Sequence, residues 1–161
     1  MQVYLLRHGI AEDGKTGTKD ADRQLTAEGR RKLRQVLKSA AEAGVHPDLI
    51  VSSPLKRALQ TAEIARAVLA YGQEIDKSKV LTPGARPEDV WNEIKLRRNL
   101  DSLILVGHNP LFASLAGFLL GMPQAQIDFK KGAMMRIDFE SLAQQPRGTL
   151  RWYLTARLAK S

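Results

Sequence analysis

The chain has 161 residues, of which 43% are hydrophobic, enough for one globular domain with a buried core across 1–161. It contains no cysteine, which excludes disulfide bonds and thiolate chemistry and suits a cytoplasmic protein. The net charge of +8 fits a phosphorylated substrate or an acidic partner. Nucleic acid is a weaker fit, because no aromatic residues interleave with the basic cluster at 30–38.

Short apolar runs alternate along the chain with segments of helical periodicity. In chain order, the pattern predicts a strand at 3–6, a helix that Thr26 caps and Gly44 ends, a strand at 49–51, a helix at 55–69, a short strand that includes Ile75 and Val80, a helix from Pro87 to about Asn99, a strand at 103–106, a helix at 110–120, and two late strands at 134–139 and 150–155. Strands that are apolar on both faces and separated by helices indicate a mostly parallel sheet covered on both sides. We therefore predict an α/β fold, a three-layer α/β/α sandwich with one late antiparallel strand.

The segment from Leu103 to Met122 carries no formal charge and is almost long enough to span a bilayer. Its polar, helix-breaking centre at 107–110 would be costly in lipid. We therefore expect a buried strand, a tight turn and a buried helix here, and no membrane association.

Three of the predicted strands end in residues that suit an anion. Arg7 and His8 follow the first strand, Arg57 lies in the first turn of the helix after the second, and His108 follows the strand at 103–106. The carboxyl ends of parallel strands meet at one edge of an open α/β sheet, where ligands bind. Helix N-termini at that edge add free N–H groups and positive potential. We therefore expect these four residues to converge on one site.

The residue types at this edge indicate chemistry on phosphate. Arginine binds phosphate oxygens bidentately, and a neutral imidazole nitrogen can attack phosphorus. We expect Arg7 to hold a phosphate oxygen, His8 to be the nucleophile, and Gly9 to let the backbone approach closely. A metal site is the rival use of His8 and His108, but the third ligand and carboxylate partners typical of zinc are missing from the pattern. We therefore do not expect a metal site here.

Polar residues and prolines precede the two helices that border this edge. Ser53 and Asn109 are predicted helix caps, and Pro54 and Pro110 suit the first helical position. Asn109 also follows His108 directly, which makes it a candidate for substrate binding.

These residues resemble the histidine phosphatase superfamily, which also contains the cofactor-dependent phosphoglycerate mutases. "LLRHG" matches its Arg-His-Gly signature, "SSPLKRALQTAE" is similar to its Ser-Pro…Arg-Ala…Gln-Thr-Ala segment, and "VGHNP" is similar to its second histidine motif. The short length and the forms "RHGIAE" and "GHNP" are most similar to the SixA-type phosphohistidine phosphatases. The resemblance covers nearly the whole chain and implies a phosphoglycerate mutase-like fold.

The resemblance also implies a phosphatase reaction in two steps that needs no metal and no organic cofactor. His8 attacks phosphorus in line and forms a phosphohistidine intermediate, which water then hydrolyses. Arg7, Arg57 and His108 bind the equatorial oxygens, where the charge is greatest. The other ring nitrogen of His8 is expected to donate to a backbone carbonyl, which fixes the attacking tautomer.

The sequence departs from the larger family at the position of its general acid. Many members carry a glutamate after the third strand, where this chain has Thr82-Pro83-Gly84 in "VLTPGARPEDVW". Glu88 and Asp89 follow late, and Glu12 is a candidate substitute. A general acid typically contributes about 10²–10⁴-fold, which an alkoxide leaving group needs more than the nitrogen of phosphohistidine does. An acid-poor site, which the SixA-type members share, therefore favours phosphohistidine or activated esters.

Three functions remain open on the sequence alone. The first is hydrolysis of phosphohistidine on a protein partner. The second is hydrolysis of small phosphorylated metabolites, with Glu12, Glu88 or Asp89 as the acid. The third is a non-catalytic basic module that binds acidic partners.

Overall fold

A sheet of six strands lies between two layers of helices. The structure is a computed structural model that describes residues 1–15 and 17–159. The strands are β1 (Gln2–Arg7), β2 (Leu49–Ser52), β3 (Asp76–Lys77), β4 (Ser102–Gly107), β5 (Met134–Asp138) and β6 (Thr149–Leu154). The helices are α1 (Ala27–Glu42), α2 (Lys56–Val68), α3 (Pro87–Leu96) and α4 (Leu111–Leu119).

The strand order is β3-β2-β4-β1-β5-β6. Strand β5 is antiparallel to both neighbours, and the other three pairs are parallel. This confirms the predicted three-layer sandwich with one late antiparallel strand.

Strand β1 shows why the central strands have no polar face. Val3 and Leu5 pack into the core formed with α3 and α4, whereas Tyr4 and Leu6 pack into the core formed with α1 and α2. Successive side chains of a strand point to opposite faces of the sheet. Because helices cover both faces, all four side chains are buried and the strand appears as an unbroken apolar run.

Helix α1 begins and ends where the sequence predicts. The hydroxyl oxygen of Thr26 accepts from the backbone N–H of Gly29 at 2.9 Å and so caps the helix. Gly44, just beyond the helix, has a φ of 84°, which glycine adopts without the steric cost that a side chain adds. The Thr26 N–H also donates to the Ile10 carbonyl at 2.9 Å, which holds the start of the helix against the loop that follows β1.

Two predicted boundaries in the middle of the chain are wrong. Neither Ile75 nor Val80 lies in a strand, because β3 contains only Asp76–Lys77 and Val80 belongs to a short 3₁₀ helix, Lys79–Leu81. The Ser78 hydroxyl accepts from the Val80 N–H at 3.3 Å and starts that turn. Helix α3 ends at Leu96, three residues before the predicted end.

Pro54 and Pro110 do not occupy the first helical position. Helix α2 begins only at Lys56, two residues after Pro54, because Ser53 Oγ accepts from the Leu55 N–H at 3.3 Å in a turn that precedes the helix. Pro110 is itself the N-cap of α4. The predicted caps are therefore wrong in position, since Leu55 and not Ser53 is the N-cap of α2 and Pro110 is that of α4. The Oδ1 of Asn109 still accepts from the backbone N–H of Ala113 in the first turn of α4 at 3.1 Å.

The uncharged segment 103–122 forms most of β4, a turn and the nine-residue helix α4. Across residues 1–15 and 17–159, every helix is too short or too polar to cross a membrane.

Candidate active site

The carboxyl ends of β1, β2 and β4 lie side by side, and their pairing continues past the strand ends. The His8 N–H donates to the Gly107 carbonyl at 3.0 Å, and the Ser53 N–H donates to the Val106 carbonyl at 2.9 Å. These bonds hold the following residues in register, and they bring the rings of His8 and His108 to a centroid distance of 5.0 Å. The predicted pair of histidines therefore shares one edge of the sheet.

His8 is buried, and its ring orientation is fixed by its own loop. Nδ1 lies 2.7 Å from the carbonyl oxygen of Gly9. A carbonyl can only accept, so Nδ1 carries the proton and Nε2 keeps a free lone pair. Burial lowers the pKa of His8 to about 4, and the positive charges of Arg57, Arg7 and Lys131 act in the same direction. The ring is therefore neutral at pH 7.

His108 is almost completely buried and contacts a serine that the sequence suggested only as a cap. Its Nε2 lies 2.7 Å from the Ser53 hydroxyl. Burial, followed by the neighbouring His8 and Arg57, lowers the pKa of His108 to about 3. Within the described residues, its Nδ1 is buried without a hydrogen-bond partner, a state that usually calls for a ligand or water.

The buried side chain of Arg57 contacts an aspartate that the sequence did not single out. Its Nη1 donates to the backbone carbonyl of Asp20 at 2.9 Å, and its Nη2 donates to the Asp20 carboxylate at 3.3 Å. Arg23 binds the other carboxylate oxygen at 3.0 Å. The hydrogen bond from Arg23, together with the charge of Arg57, holds the pKa of Asp20 below its usual range. Asp20 is therefore ionised at neutral pH and is a poor proton donor.

Arg7 is held by the loop before β5. Its Nη1 donates to the carbonyl oxygen of Phe129 at 2.6 Å, and the Nδ2 of Asn109 donates to the same oxygen at 3.2 Å. The Oδ1 of Asn109 accepts from the first turn of α4, so the structure gives this side chain a positioning contact. Only one of the two Nδ2 N–H groups has a described acceptor, and substrate binding by Asn109 stays a prediction.

The close backbone approach at Gly9 is toward helix α1. A Cβ at Gly9 would lie 2.7 Å from Leu33 Cδ1 and 3.2 Å from the Gly29 carbonyl oxygen. The Gly9 N–H donates to the Thr61 hydroxyl at 3.2 Å. Glycine is therefore required here so that the nucleophile loop can pack against α1.

The three candidate acids lie on exposed side chains. Glu12 follows the nucleophile loop, and its backbone carbonyl accepts from Arg23 at 2.7 Å. Glu88 pairs with Arg86 at 3.5 Å, and Asp89 lies beside it in the first turn of α3. No described hydrogen bond or ion pair joins any of the three acids to the histidines or arginines of the site.

The assembled site suits an anion with tetrahedrally arranged oxygens. It has a neutral imidazole with a free lone pair, two arginines held by backbone carbonyls, and a second buried histidine. Among residues 1–15 and 17–159, no three histidines, aspartates or glutamates are grouped so that they could hold a metal ion.

Both a family model and a known protein match this chain. The model of the histidine phosphatase superfamily (branch 1) matches residues 3–82. An uncharacterised protein of Picosynechococcus sp. is 31% identical over 142 residues, which cover 84% of this chain and 83% of that protein.

Two solved structures share the fold along almost their whole length. The protein histidine phosphatase SixA complexed with tungstate superposes with a TM-score of 0.89 at 24% identity, covering 99% of this chain and 100% of that one. The putative phosphohistidine phosphatase SixA from Agrobacterium tumefaciens gives a TM-score of 0.78 at 25% identity, covering 96% and 97%.

Proposed function

The chain belongs to the histidine phosphatase superfamily, and from that premise we propose that it hydrolyses phosphohistidine carried by another protein, with His8 as the nucleophile. The observation that carries this proposal is the geometry of the site: the His8 ring is fixed with a free Nε2 lone pair. The carboxylate that contacts the site, that of Asp20, is bound by Arg57 and Arg23 and is not in described contact with His8. Such a site favours a leaving group that needs no acid from the enzyme.

In the first step, the Nε2 lone pair of His8 forms a bond to phosphorus while the substrate P–N bond breaks. The electron pair of that bond leaves on the substrate imidazole, whose nitrogen takes a proton from solvent. Arg7, Arg57 and His108 bind the equatorial oxygens and stabilise their charge. Nδ1–H of His8 donates to the Gly9 carbonyl throughout and stabilises the cationic, phosphorylated ring.

In the second step, a water oxygen attacks phosphorus and the bond to Nε2 of His8 breaks. One proton of that water passes to solvent, inorganic phosphate leaves, and His8 returns to its neutral form. No metal or organic cofactor takes part in either step.

The substrate preference follows from the same geometry. A phosphate monoester of an alcohol releases an alkoxide, for which a missing general acid costs about 10²–10⁴-fold in rate. Imidazole and nitrophenolate leave without such help. The two SixA proteins that share the fold are named as a protein histidine phosphatase and a putative phosphohistidine phosphatase, which supports the same choice.

The test compares phosphate release from three substrates: a phosphohistidine peptide, nitrophenyl phosphate and glycerol phosphate. We expect turnover of the first two, much slower turnover of the third, and loss of all turnover in His8→Ala. The chain offers a matched control in His46→Ala, because His46 is exposed and lies away from the site. Fast turnover of glycerol phosphate would indicate a metabolite phosphatase instead, and no turnover of any substrate would indicate a binding module.

A further inference from the structure

A basic groove opens directly beside the candidate active site. It has a volume of about 660 Å³ and is lined by Arg7 and Ile10 near the nucleophile, by Lys32 of α1, by Asp128, Lys130 and Lys131 of the loop before β5, and by residues 155–157 after β6. Because Arg7 belongs both to the groove and to the site, a ligand in the groove would lie next to the phosphate position.

The positive charge of the groove is only partly compensated. Asp128 is the acid of the lining and pairs with Lys130 at 2.8 Å. Lys32 pairs with Glu28 on its own helix at 3.1 Å. Lys131 and Arg157 are exposed and have no ion-pair partner in the part of the chain that the structure describes. At least two cations are therefore free to bind an incoming anion.

The loop that carries the lysines is fastened to the nucleophile. The Tyr153 hydroxyl donates to the Asp128 carbonyl at 2.9 Å and accepts from the Lys130 N–H at 2.8 Å. The Gly132 N–H donates to the carbonyl oxygens of Arg7 and His8 at 3.1 and 2.9 Å. These hydrogen bonds hold the backbone of the two lysines at the edge of the site. The positive charge of Lys131 is one of the influences that lower the pKa of His8.

We propose that this basic groove docks an acidic segment of the protein that carries the phosphohistidine. The proposal rests on the proposed function and adds the chemistry of the partner surface. A transferred phosphoryl group needs only the site itself, so the extra cations gain binding energy only from a larger anionic partner. Charge complementarity of this kind raises association rates and weakens as salt is added. The groove lining contains no aromatic side chain for base stacking, which favours a peptide over single-stranded nucleic acid.

The test uses two phosphohistidine peptides that differ only in their flanking residues, glutamate in one and glutamine in the other. We expect wild type to prefer the glutamate peptide by about two- to tenfold, because each solvent-exposed ion pair contributes only modestly to binding. The preference should lie in KM and should shrink as salt is added. In Arg157→Glu and in Lys131→Glu, the ratio of kcat/KM for the glutamate peptide to that for the glutamine peptide should fall toward one.

The matched control is Arg98→Glu, an equal change of charge on an exposed residue between α3 and the amino end of β4. It should keep the preference of wild type. Equal kcat/KM for the two peptides, or an equal loss in Arg98→Glu, would overturn the proposal.

A second measurement separates failure of the groove from failure of the proposed function. The unphosphorylated glutamate peptide should inhibit hydrolysis of nitrophenyl phosphate by wild type, and inhibit Arg157→Glu more weakly. This inhibition can be measured even if neither phosphohistidine peptide is hydrolysed. Inhibition by a single-stranded oligonucleotide without inhibition by the glutamate peptide would overturn the docking of an acidic protein segment.

Discussion

The carboxylate of Asp20 lies 3.3 Å from the guanidinium of Arg57, within the site where a phosphate would bind. Arg57 is buried, whereas the side chain of Asp20 is 63% exposed. The exposed carboxylate of Asp20 therefore forms an ion pair with an arginine that the proposed reaction needs to bind phosphate. A substrate must share Arg57 with this carboxylate or displace it.

Replacement of this carboxylate should strengthen anion binding. Asp20→Asn keeps an acceptor for Arg57 but removes a negative charge, and we expect tungstate or phosphate to inhibit about two- to fivefold more tightly. Asp22→Asn is the matched control, because Asp22 lies in the same 3₁₀ helix (Asp20–Asp22) and has no described contact with Arg57. Weaker inhibition in Asp20→Asn would mean that the carboxylate supports Arg57 and does not compete for it.

The Ser53 hydroxyl should matter for catalysis through His108. Ser53→Ala removes the contact at 2.7 Å from Nε2 and leaves that buried nitrogen unpaired, at a cost of about 1–3 kcal/mol. We expect kcat/KM to fall about 5- to 150-fold. Ser52→Ala is the control, because Ser52 is equally buried but donates to a backbone carbonyl at 2.9 Å. Equal losses of kcat/KM at equal stability would contradict a specific role for Ser53.

Two glycines should be intolerant of alanine for steric reasons. Gly9→Ala places a Cβ against Leu33, and overpacking of this kind costs about 1–3 kcal/mol of unfolding free energy. Gly29→Ala should cost more, since its Cβ would overlap the backbone carbonyl of Ile10, which cannot move aside as a side chain can. Gly84→Ala has open space and should be neutral by comparison. Urea unfolding measures all three, and equal stabilities would contradict the packing of α1 on the nucleophile loop.

Both site histidines should remain neutral in mild acid. Their pKa values of about 4 for His8 and about 3 for His108 lie well below the reference value of about 6.5. NMR titration of the ring Cε1–H signals, assigned with His8→Gln and His108→Gln, should show no protonation of either ring between pH 7 and pH 5. A midpoint near 6.5 for His8 would contradict its burial and its proposed role as a neutral nucleophile.

The same pKa shifts predict a loss of stability in acid. Below about pH 6.5 the unfolded chain binds protons on these rings while the folded protein does not. The free energy of unfolding should therefore fall as the pH drops from about 6.5 toward 4, and it should fall less steeply in His8→Gln. Identical pH slopes for wild type and His8→Gln would contradict the shift.

The sequence predicts the site residues that follow the strands, but it does not predict the loop residues that contact them. Arg7, His8 and His108 follow unbroken apolar strands, and parallel pairing of those strands forces them to one edge. Asp20 and Phe129 could not be found this way, because they reach the site's arginines from 37 and 122 residues away in sequence. They lie in loops, where no periodic pattern marks a contact. The predicted position of the short edge strand β3 is wrong for a related reason, because only Asp76 and Lys77 pair with β2 and two residues make no periodic pattern. The turn that follows the strand depends on one local hydrogen bond, from the Val80 N–H to the Ser78 hydroxyl.

Covalent phosphorylation of His8 is the most direct test of the proposed mechanism. A phosphohistidine peptide is mixed rapidly with an equal amount of protein, quenched in base, where phosphohistidine survives, and mapped by mass spectrometry. We predict one phosphoryl group on the peptide that contains His8, which appears before free phosphate and is absent from His8→Ala. Release of phosphate with no protein-bound phosphoryl group, or with the group on His108, would contradict His8 as the nucleophile.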